Sequence, residues 1–138
     1  MTGTGYVFDD TVLHAYAHGS LLTASLIAHL ADREIRIAVP ALALSAAKAG
    51  LNEEQREGLD GVIDNVAAIA LAGVSTLTDT SELADILAAG ESVDYVAAHC
   101  VAIARHFDWE IVTHDRARWQ SIEDALPWPI DLVELADD

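Results

Sequence analysis

The sequence feature that most constrains the fold is a regular alternation of short apolar runs with helix-forming segments. Five runs are typical of strands, at residues 5–9, 35–39, 67–71, 109–113 and 130–134. Strands that alternate with helices pair in parallel through right-handed crossovers, with helices on both faces of the sheet. We therefore predict a single α/β domain over all 138 residues, a three-layer α/β/α sandwich with a parallel sheet of four or five strands.

Capping residues and apolar spacing mark the helices between these runs. The predicted helices span residues 14–19, 21–30, 41–49, 53–65, 79–90, 93–106 and 116–125. Their predicted caps or starting residues are Asp10 or Thr11, Ser20, Pro40, Asn52, Asp79 or Thr80, and Ser92. The helix that Pro40 opens is almost wholly apolar, so we expect it to be buried.

Charge narrows the classes of partner. Seven basic residues stand against 23 acidic ones, which gives a formal net charge of −16. A broad basic surface for nucleic acid is therefore excluded, and basic partners are favoured. Cys100 is the single cysteine, which excludes an intrachain disulfide, and its apolar neighbours predict a buried residue. Without a signal peptide or a membrane-spanning run, a cytoplasmic protein with no membrane partner is expected.

Two acids follow strands that are predicted to share one sheet. Asp9 comes directly after Val7-Phe8, with Asp10 beside it, and Asp115 follows the strand that ends near Thr113. The carboxyl ends of parallel strands open at one edge, so these carboxylates are expected to meet there. Such a pair favours a hard cation, Mg²⁺ or Mn²⁺, and Asp94 could supply a third ligand from the long helix. The simpler alternative is that Asp9 and Asp115 only cap helices and that Asp94 only complements the dipole of its helix.

Four short motifs occur in a recognisable order. They are Asp-x-x-Val-Leu from Asp9, Val-Pro-Ala-Leu at 39–42, Ala-His-x-Val-Ala-x-Ala at 98–104 and Thr-x-Asp at 113–115. Over nearly the whole chain this order resembles the PIN domain, above all the small bacterial ribonucleases of toxin–antitoxin pairs. The resemblance implies RNA cleavage by three or four acids that hold Mg²⁺ or Mn²⁺. It also implies a homodimer and an antitoxin protein as partner.

Only some of the family's site residues have a counterpart in this chain. Asp9 matches the first family acid, Asp115 matches the acid of Thr-x-Asp, and Thr113 matches the hydroxyl before it. The family glutamate falls at Leu44 or Ser45, and the helix acid falls at Ala97, three residues after Asp94. A catalytic and metal-binding set of Asp9, Asp94 and Asp115 is one hypothesis. A degenerate, non-catalytic domain that serves as a binding or regulatory protein is the other.

Several residues near the predicted edge could support either role. Asp10 lies next to Asp9, and His114 is a candidate proton carrier or else an exposed loop histidine. Arg116 and Arg118 could meet a phosphate beside Asp115, or could be surface arginines that offset local acids.

Two further kinds of site have weaker signals in the sequence. His14 and His18 have the i, i+4 spacing of a zinc pair, but no third ligand follows at an obvious spacing. A phosphoacceptor of the response-regulator type would need a lysine near a late strand, and the single lysine is Lys48.

Overall fold

The computed structural model describes residues 4–91 and 93–136, which contain five strands and seven helices. In chain order these are β1 Gly5–Phe8, α1 Asp10–Ala17, α2 Leu21–Asp32, β2 Arg36–Pro40, α3 Ala41–Ala49, α4 Glu53–Asn65, β3 Ile69–Ala72, α5 Leu77–Ala89, α6 Tyr95–Phe107, β4 Glu110–Thr113, α7 Arg116–Ala125 and β5 Leu132–Glu134. Within these ranges, no helix has both the length and the apolar character needed to cross a bilayer.

The five strands form one parallel sheet in the order β3-β2-β1-β4-β5. Val7 in the central strand pairs with Ala38 on one side and with Ile111 on the other. The first two connections run towards β3 and the last two run towards β5. Because such crossovers are right-handed, α1 to α4 lie on one face and α5 to α7 on the other. The predicted three-layer α/β/α sandwich is confirmed, with five strands.

The core lies between the central strands and α6. Val7, Ile37 and Ile111 have no exposed surface, as expected for strands that are covered on both faces. In α6 every residue of the stretch 97–103 is buried, so the helix is covered on more than one side. The reason is that α6 contacts the sheet as well as α3 and α5.

Several helix starts differ from the predictions because the capping side chain is another one. Helix α1 begins at Asp10 rather than His14, since the Asp9 side chain accepts a hydrogen bond from the backbone N–H of Val12. Helix α5 begins at Leu77, two residues before the predicted start, because Thr76 forms its capping box.

Helix α6 begins at Tyr95 and is capped by Asp94, whereas the predicted cap, Ser92, lies outside the described residues. The predicted caps Ser20 and Asn52 are confirmed, and Asn52 forms a complete capping box with Gln55.

The prediction that α3 is buried is wrong. Only Ala43 and Ala47 of this helix are buried, so α3 is a surface helix that presents one alanine stripe to the core. Strands β3 and β5 each begin two residues later than predicted, at Ile69 and Leu132. Their first predicted residues belong instead to the loops that lead into the sheet.

Candidate functional site

The candidate site lies where the connections of the sheet change direction, between β1 and β4. Phe8 pairs with Val112, so the carboxyl ends of the two strands open side by side. Ligands of open α/β sheets bind in the crevice outside such a switch point. Asp9 follows β1 directly and Asp115 follows β4 after one residue, so the fold brings both to this edge of the sheet.

The Asp9 carboxylate is fully buried and accepts three hydrogen bonds. Its Oδ1 accepts from the Thr11 hydroxyl at 2.6 Å and from the Val12 backbone N–H at 3.1 Å. Its Oδ2 accepts from the indole Nε1–H of Trp119 at 2.8 Å, and Trp119 is itself fully buried. Hydrogen bonds to a charged group contribute about 1.5–3 kcal/mol each. Asp9 therefore joins α1 to α7 beneath the surface of the crevice.

A chain of hydroxyl and amide contacts connects the ends of β1 and β4. The Thr11 hydroxyl donates to Asp9, so it accepts from the His114 backbone N–H at 2.9 Å and faces the Thr113 hydroxyl at 3.3 Å. The buried Thr113 hydroxyl also accepts from the Asp115 backbone N–H at 2.9 Å. Thr113 is thus part of the site through its hydroxyl, at the position where the sequence predicts one.

His114 is half-buried and is held at two ring atoms. Its Nδ1 lies 2.8 Å from the Leu135 carbonyl oxygen, which can only accept, so Nδ1 carries the hydrogen. Its Nε2 lies 3.5 Å from the Thr23 hydroxyl oxygen. The ring is therefore a bridge between the loop after β4, the segment after β5 and α2, rather than an exposed loop histidine.

Arg118 is the cation at this edge of the sheet. Its Nη1 lies 2.7 Å from Asp10 Oδ1 and its Nη2 lies 3.7 Å from Asp94 Oδ1, with 23% of the side chain exposed. Burial lowers the pKa of Arg118, but the hydrogen bond and the attraction to Asp10, together with the charges of Asp94 and Asp9, outweigh it and leave the pKa raised. The guanidinium therefore stays charged and is central to the site.

Asp94 and Asp115 are both helix caps, which the simpler sequence interpretation proposed for Asp115 but not for Asp94. Asp94 Oδ1 accepts from the backbone N–H of Ala97 at 2.8 Å, and Asp115 Oδ1 accepts from the backbone N–H of Arg118 at 3.1 Å. Ala97, where the family resemblance expects an acid, is fully buried. The Asp94 carboxylate reaches forward only as far as the backbone N–H of this residue.

The other predicted residues lie at the margin. Ser45 is exposed and donates to the Ala41 carbonyl oxygen at 2.9 Å, and Leu44 is half-buried against the core. Arg116 points to Glu134 on β5, with Nε 3.5 Å from Oε1, so it belongs to the rim rather than to the carboxylates.

Burial and the nearby carboxylates both affect the pKa of the Cys100 thiol. Burial raises the pKa of the Cys100 thiol well above its ordinary value, and the negative charges of Asp9 and Asp10 raise it further. A thiol in this setting stays protonated, so Cys100 is an apolar residue of the core and not a nucleophile, as the sequence predicts.

The residues at this edge do not fit a divalent cation. Asp9 has no exposed surface, and three of the roughly four acceptor positions of its carboxylate already accept hydrogen bonds, so little of the group is open to a metal. Arg118 fills the space between Asp10 and Asp94. Across residues 4–91 and 93–136, no group of three or more His, Cys, Asp or Glu side chains is arranged to hold a metal. The Mg²⁺ or Mn²⁺ site stays a prediction, and this geometry argues against it.

The two histidines of the predicted zinc pair do meet on α1. His14 Nε2 and His18 Nε2 are 3.2 Å apart, and Gln55 Nε2 lies 3.3 Å from His18 Nδ1. Gln55 uses its oxygen in the capping box, so its amide donates to His18 Nδ1. His18 Nε2 then carries the hydrogen and donates to His14. The two rings and Gln55 thus form a chain of hydrogen bonds, which a metal at Nε2 of His18 would break.

Of the two residues that hold the site together, sequence reasoning missed Trp119. It placed Arg118 near the predicted edge but left its role open between a phosphate contact and an offset to local acids. Their partners lie 110 and 108 residues earlier in the chain, so no local pattern signals the contacts. One signal was available: Asp115 caps α7, which directs the first turn of that helix, and hence Arg118 and Trp119, to the crevice.

Comparison with models of known protein families finds no match, and neither does comparison with the sequences of curated proteins. The resemblance to the PIN domain therefore rests on the order and spacing of the four motifs and stays a prediction. The arrangement of Asp9, Arg118 and Trp119 is the firmest guide to function.

Proposed function

We propose that this chain is a degenerate PIN-like domain that does not hydrolyse RNA and works as a binding or regulatory protein. The observation that carries the proposal is the position of Arg118 between Asp10 and Asp94, beside an Asp9 carboxylate that is fully buried and accepts three hydrogen bonds. A site of this composition is stable without an exchangeable cation.

The guanidinium can balance charge but cannot replace a metal in catalysis. An arginine has only N–H donors and does not lose its proton, so it cannot activate a water molecule. A metal-dependent nuclease needs a cation that lowers the pKa of bound water and contacts the phosphate. Arg118 neutralises the carboxylates without supplying either function, which supports a structural role for the cluster.

The overall charge supports the same conclusion. An RNA ligand approaches a chain with a formal net charge of −16, so counterion release cannot drive its binding. Of the nearby basic side chains, Arg118 is engaged by Asp10 and Arg116 pairs with Glu134. The RNA substrate, the homodimer and the antitoxin protein stay predictions that follow from the family resemblance alone.

Calorimetric titration with Mn²⁺, together with an assay for cleavage of a mixed single-stranded RNA, tests the proposal. We expect the wild-type chain to show no saturable Mn²⁺ binding and no cleavage. Arg118→Gln removes the internal cation and leaves Asp10 and Asp94 uncompensated, so this variant should acquire weak Mn²⁺ binding, in the millimolar range. Arg116→Gln is the matched control on the same helix and should behave like the wild type.

Mn²⁺-dependent cleavage by the wild type, abolished in Asp9→Asn, would overturn the proposal and restore the nuclease hypothesis. Equal Mn²⁺ binding by the wild type and Arg118→Gln would also contradict it, because the guanidinium would then not occupy the cation position.

A further inference from the structure

One face of the sheet is left partly uncovered at β2 and β3. On the side of α5 to α7, α6 packs on β1, β2 and β4, and α5 packs mainly against α6 rather than on the sheet. On the opposite side α4 packs on β3. Parallel sheets are normally covered on both faces, so this open part of the face is a candidate binding surface.

Small side chains form the floor of a cavity on this face. Alternate residues of a strand share one face and Ala38 pairs with Ala70, so Arg36, Ala38, Ala70 and Ala72 all lie on it. The cavity that they line has a volume of about 570 Å³, which suits a small ligand. Ala72 pairs with Pro40, so the floor extends about 13 Å from the level of Arg36, at about 3.3 Å per residue.

Two aromatic rings form the wall of this cavity. A Cβ on Gly5 would meet the Trp109 ring, and Gly5 pairs with Arg36, so the ring lies on the same face as the floor. Phe107 stacks on Trp109 with ring centroids 4.5 Å apart and an interplanar angle of 18°. Phe107 lines the cavity and is 43% exposed, so a ligand on the floor can contact its ring.

The charge in this cavity is opposite to that of the chain as a whole. The chain has 23 acidic and seven basic residues, yet the ionisable side chains among the described residues that line the cavity are those of Arg36 and His106. His106 Nδ1 already lies 2.9 Å from Glu82 Oε2. No ion pair of the described residues involves Arg36, so its guanidinium can accept a carboxylate from a ligand.

We infer that this cavity binds a small organic anion that consists of an apolar chain with one terminal carboxylate, as in a medium-length fatty acid. The carboxylate would pair with the Arg36 guanidinium, and the chain would lie along the alanine floor against Phe107. One arginine in apolar surroundings balances a single negative charge, which favours a carboxylate over a doubly charged phosphate. The inference does not rest on Arg118 or on the non-catalytic role proposed above.

Two other occupants fit this cavity less well. A peptide strand would need unpaired main-chain groups, but the floor is a face of the sheet, where those groups already pair between β2 and β3. A second copy of the chain would bring another net charge of −16 to the same surface.

The probe is decanoate, titrated into the ¹⁵N-labelled full chain at pH 7 and followed by amide chemical shifts. We expect saturable shifts confined to β2, β3 and residues 106–109. Decylamine has the same chain with a positive charge, and acetate has the carboxylate without the chain. Neither control should give saturable shifts at these residues, because the first is repelled by Arg36 and the second leaves the apolar floor uncovered.

Two variants and a control locate the binding surface. Arg36→Gln should weaken decanoate binding about tenfold or more, because a hydrogen bond between charged groups is lost. Arg33→Gln makes the same change at an exposed arginine that does not line the cavity, and it should leave binding unchanged. Ala70→Phe fills the cavity from an exposed position of the floor, so it should abolish the saturable shifts without unfolding the chain.

Equal affinity of Arg36→Gln and the wild type for decanoate would overturn the inference. So would equal binding of decanoate and decylamine, or the absence of saturable shifts at the cavity. Shifts of the same residues that depend on protein concentration without ligand would overturn it in favour of a second copy. Arg118→Gln should bind decanoate like the wild type, so this result is independent of the Mn²⁺ and RNA tests.

Discussion

The indole of Trp119 should be essential to stability through its hydrogen bond to Asp9. Trp119→Phe removes the Nε1–H donor that lies 2.8 Å from Asp9 Oδ2 and leaves that oxygen without its partner in a fully buried position. An unpaired buried polar atom costs about 1–3 kcal/mol, and more when the group is charged. The smaller ring adds the cost of a partly filled space in the core. We expect a loss of about 3 kcal/mol in the free energy of unfolding.

Urea unfolding, followed by far-ultraviolet circular dichroism at pH 7, measures this loss. With a dependence on urea of about 1–3 kcal/mol per molar, the midpoint should fall by 1 M or more. Trp128→Phe is the control, because Trp128 is half-buried and faces Arg105 at 3.9 Å rather than a carboxylate. Trp128→Phe should lower the free energy of unfolding by less than about 1 kcal/mol. Equal losses for the two variants would refute the role of the indole as the donor that holds Asp9.

A double-mutant cycle separates the hydrogen bond from the packing. Asp9→Asn keeps the size of the side chain but changes what it presents to the indole and to Thr11. The loss in the free energy of unfolding caused by Asp9→Asn should be about 1–2 kcal/mol smaller in the Trp119→Phe background than in the wild type, because part of the interaction is already lost there. Additive losses would mean that Trp119 stabilises the fold by packing alone.

Three further predictions concern other buried positions. Gly5→Ala should lower the free energy of unfolding by about 1–3 kcal/mol, measured by urea unfolding, because the new Cβ would meet the Trp109 ring. Cys100 should not react with a disulfide reagent at pH 8 until urea unfolds the chain, because burial and the charges of Asp9 and Asp10 raise the pKa of its thiol. Burial lowers the pKa of His99 below 6.5, partly offset by Asp79, so the folded state binds a proton less readily than the unfolded state. Stability should therefore fall as the pH drops from about 7 through 6.5 and below, and His99→Gln should lose this part of the pH dependence.

Each of these predictions has a clear contrary result. An unchanged unfolding midpoint in Gly5→Ala would mean that the Trp109 ring can move aside. Rapid labelling of Cys100 in the folded chain would show that α6 opens easily. If stability depends on pH identically in His99→Gln and in the wild type, another titrating group causes that dependence.

Much of the fold could be predicted because the signals are local. The caps Ser20 and Asn52 act on backbone N–H groups three residues away, and Gly50 ends α3 where expected. The errors in the starts of α1 and α5 have the same local cause, because Asp9 and Thr76 cap these helices in place of the predicted residues. Burial was harder to predict: α3 is as apolar as a core helix but covers the core with only one stripe.

For the candidate site, the sequence by itself determined the alternation of strands and helices and the acids at two strand ends. A parallel sheet then brings Asp9 and Asp115 to one edge, because parallel strands end on the same side. Only the tertiary structure decided what those acids do. Trp119 and Arg118 reach Asp9 and Asp10 across more than 100 residues of chain, and such contacts depend on how α7 packs beside β1 and not on any local pattern. Of the carboxylates that the sequence presents as metal ligands, Asp9 is therefore the partner of an indole and Asp94 of a guanidinium, whereas Asp115 caps α7.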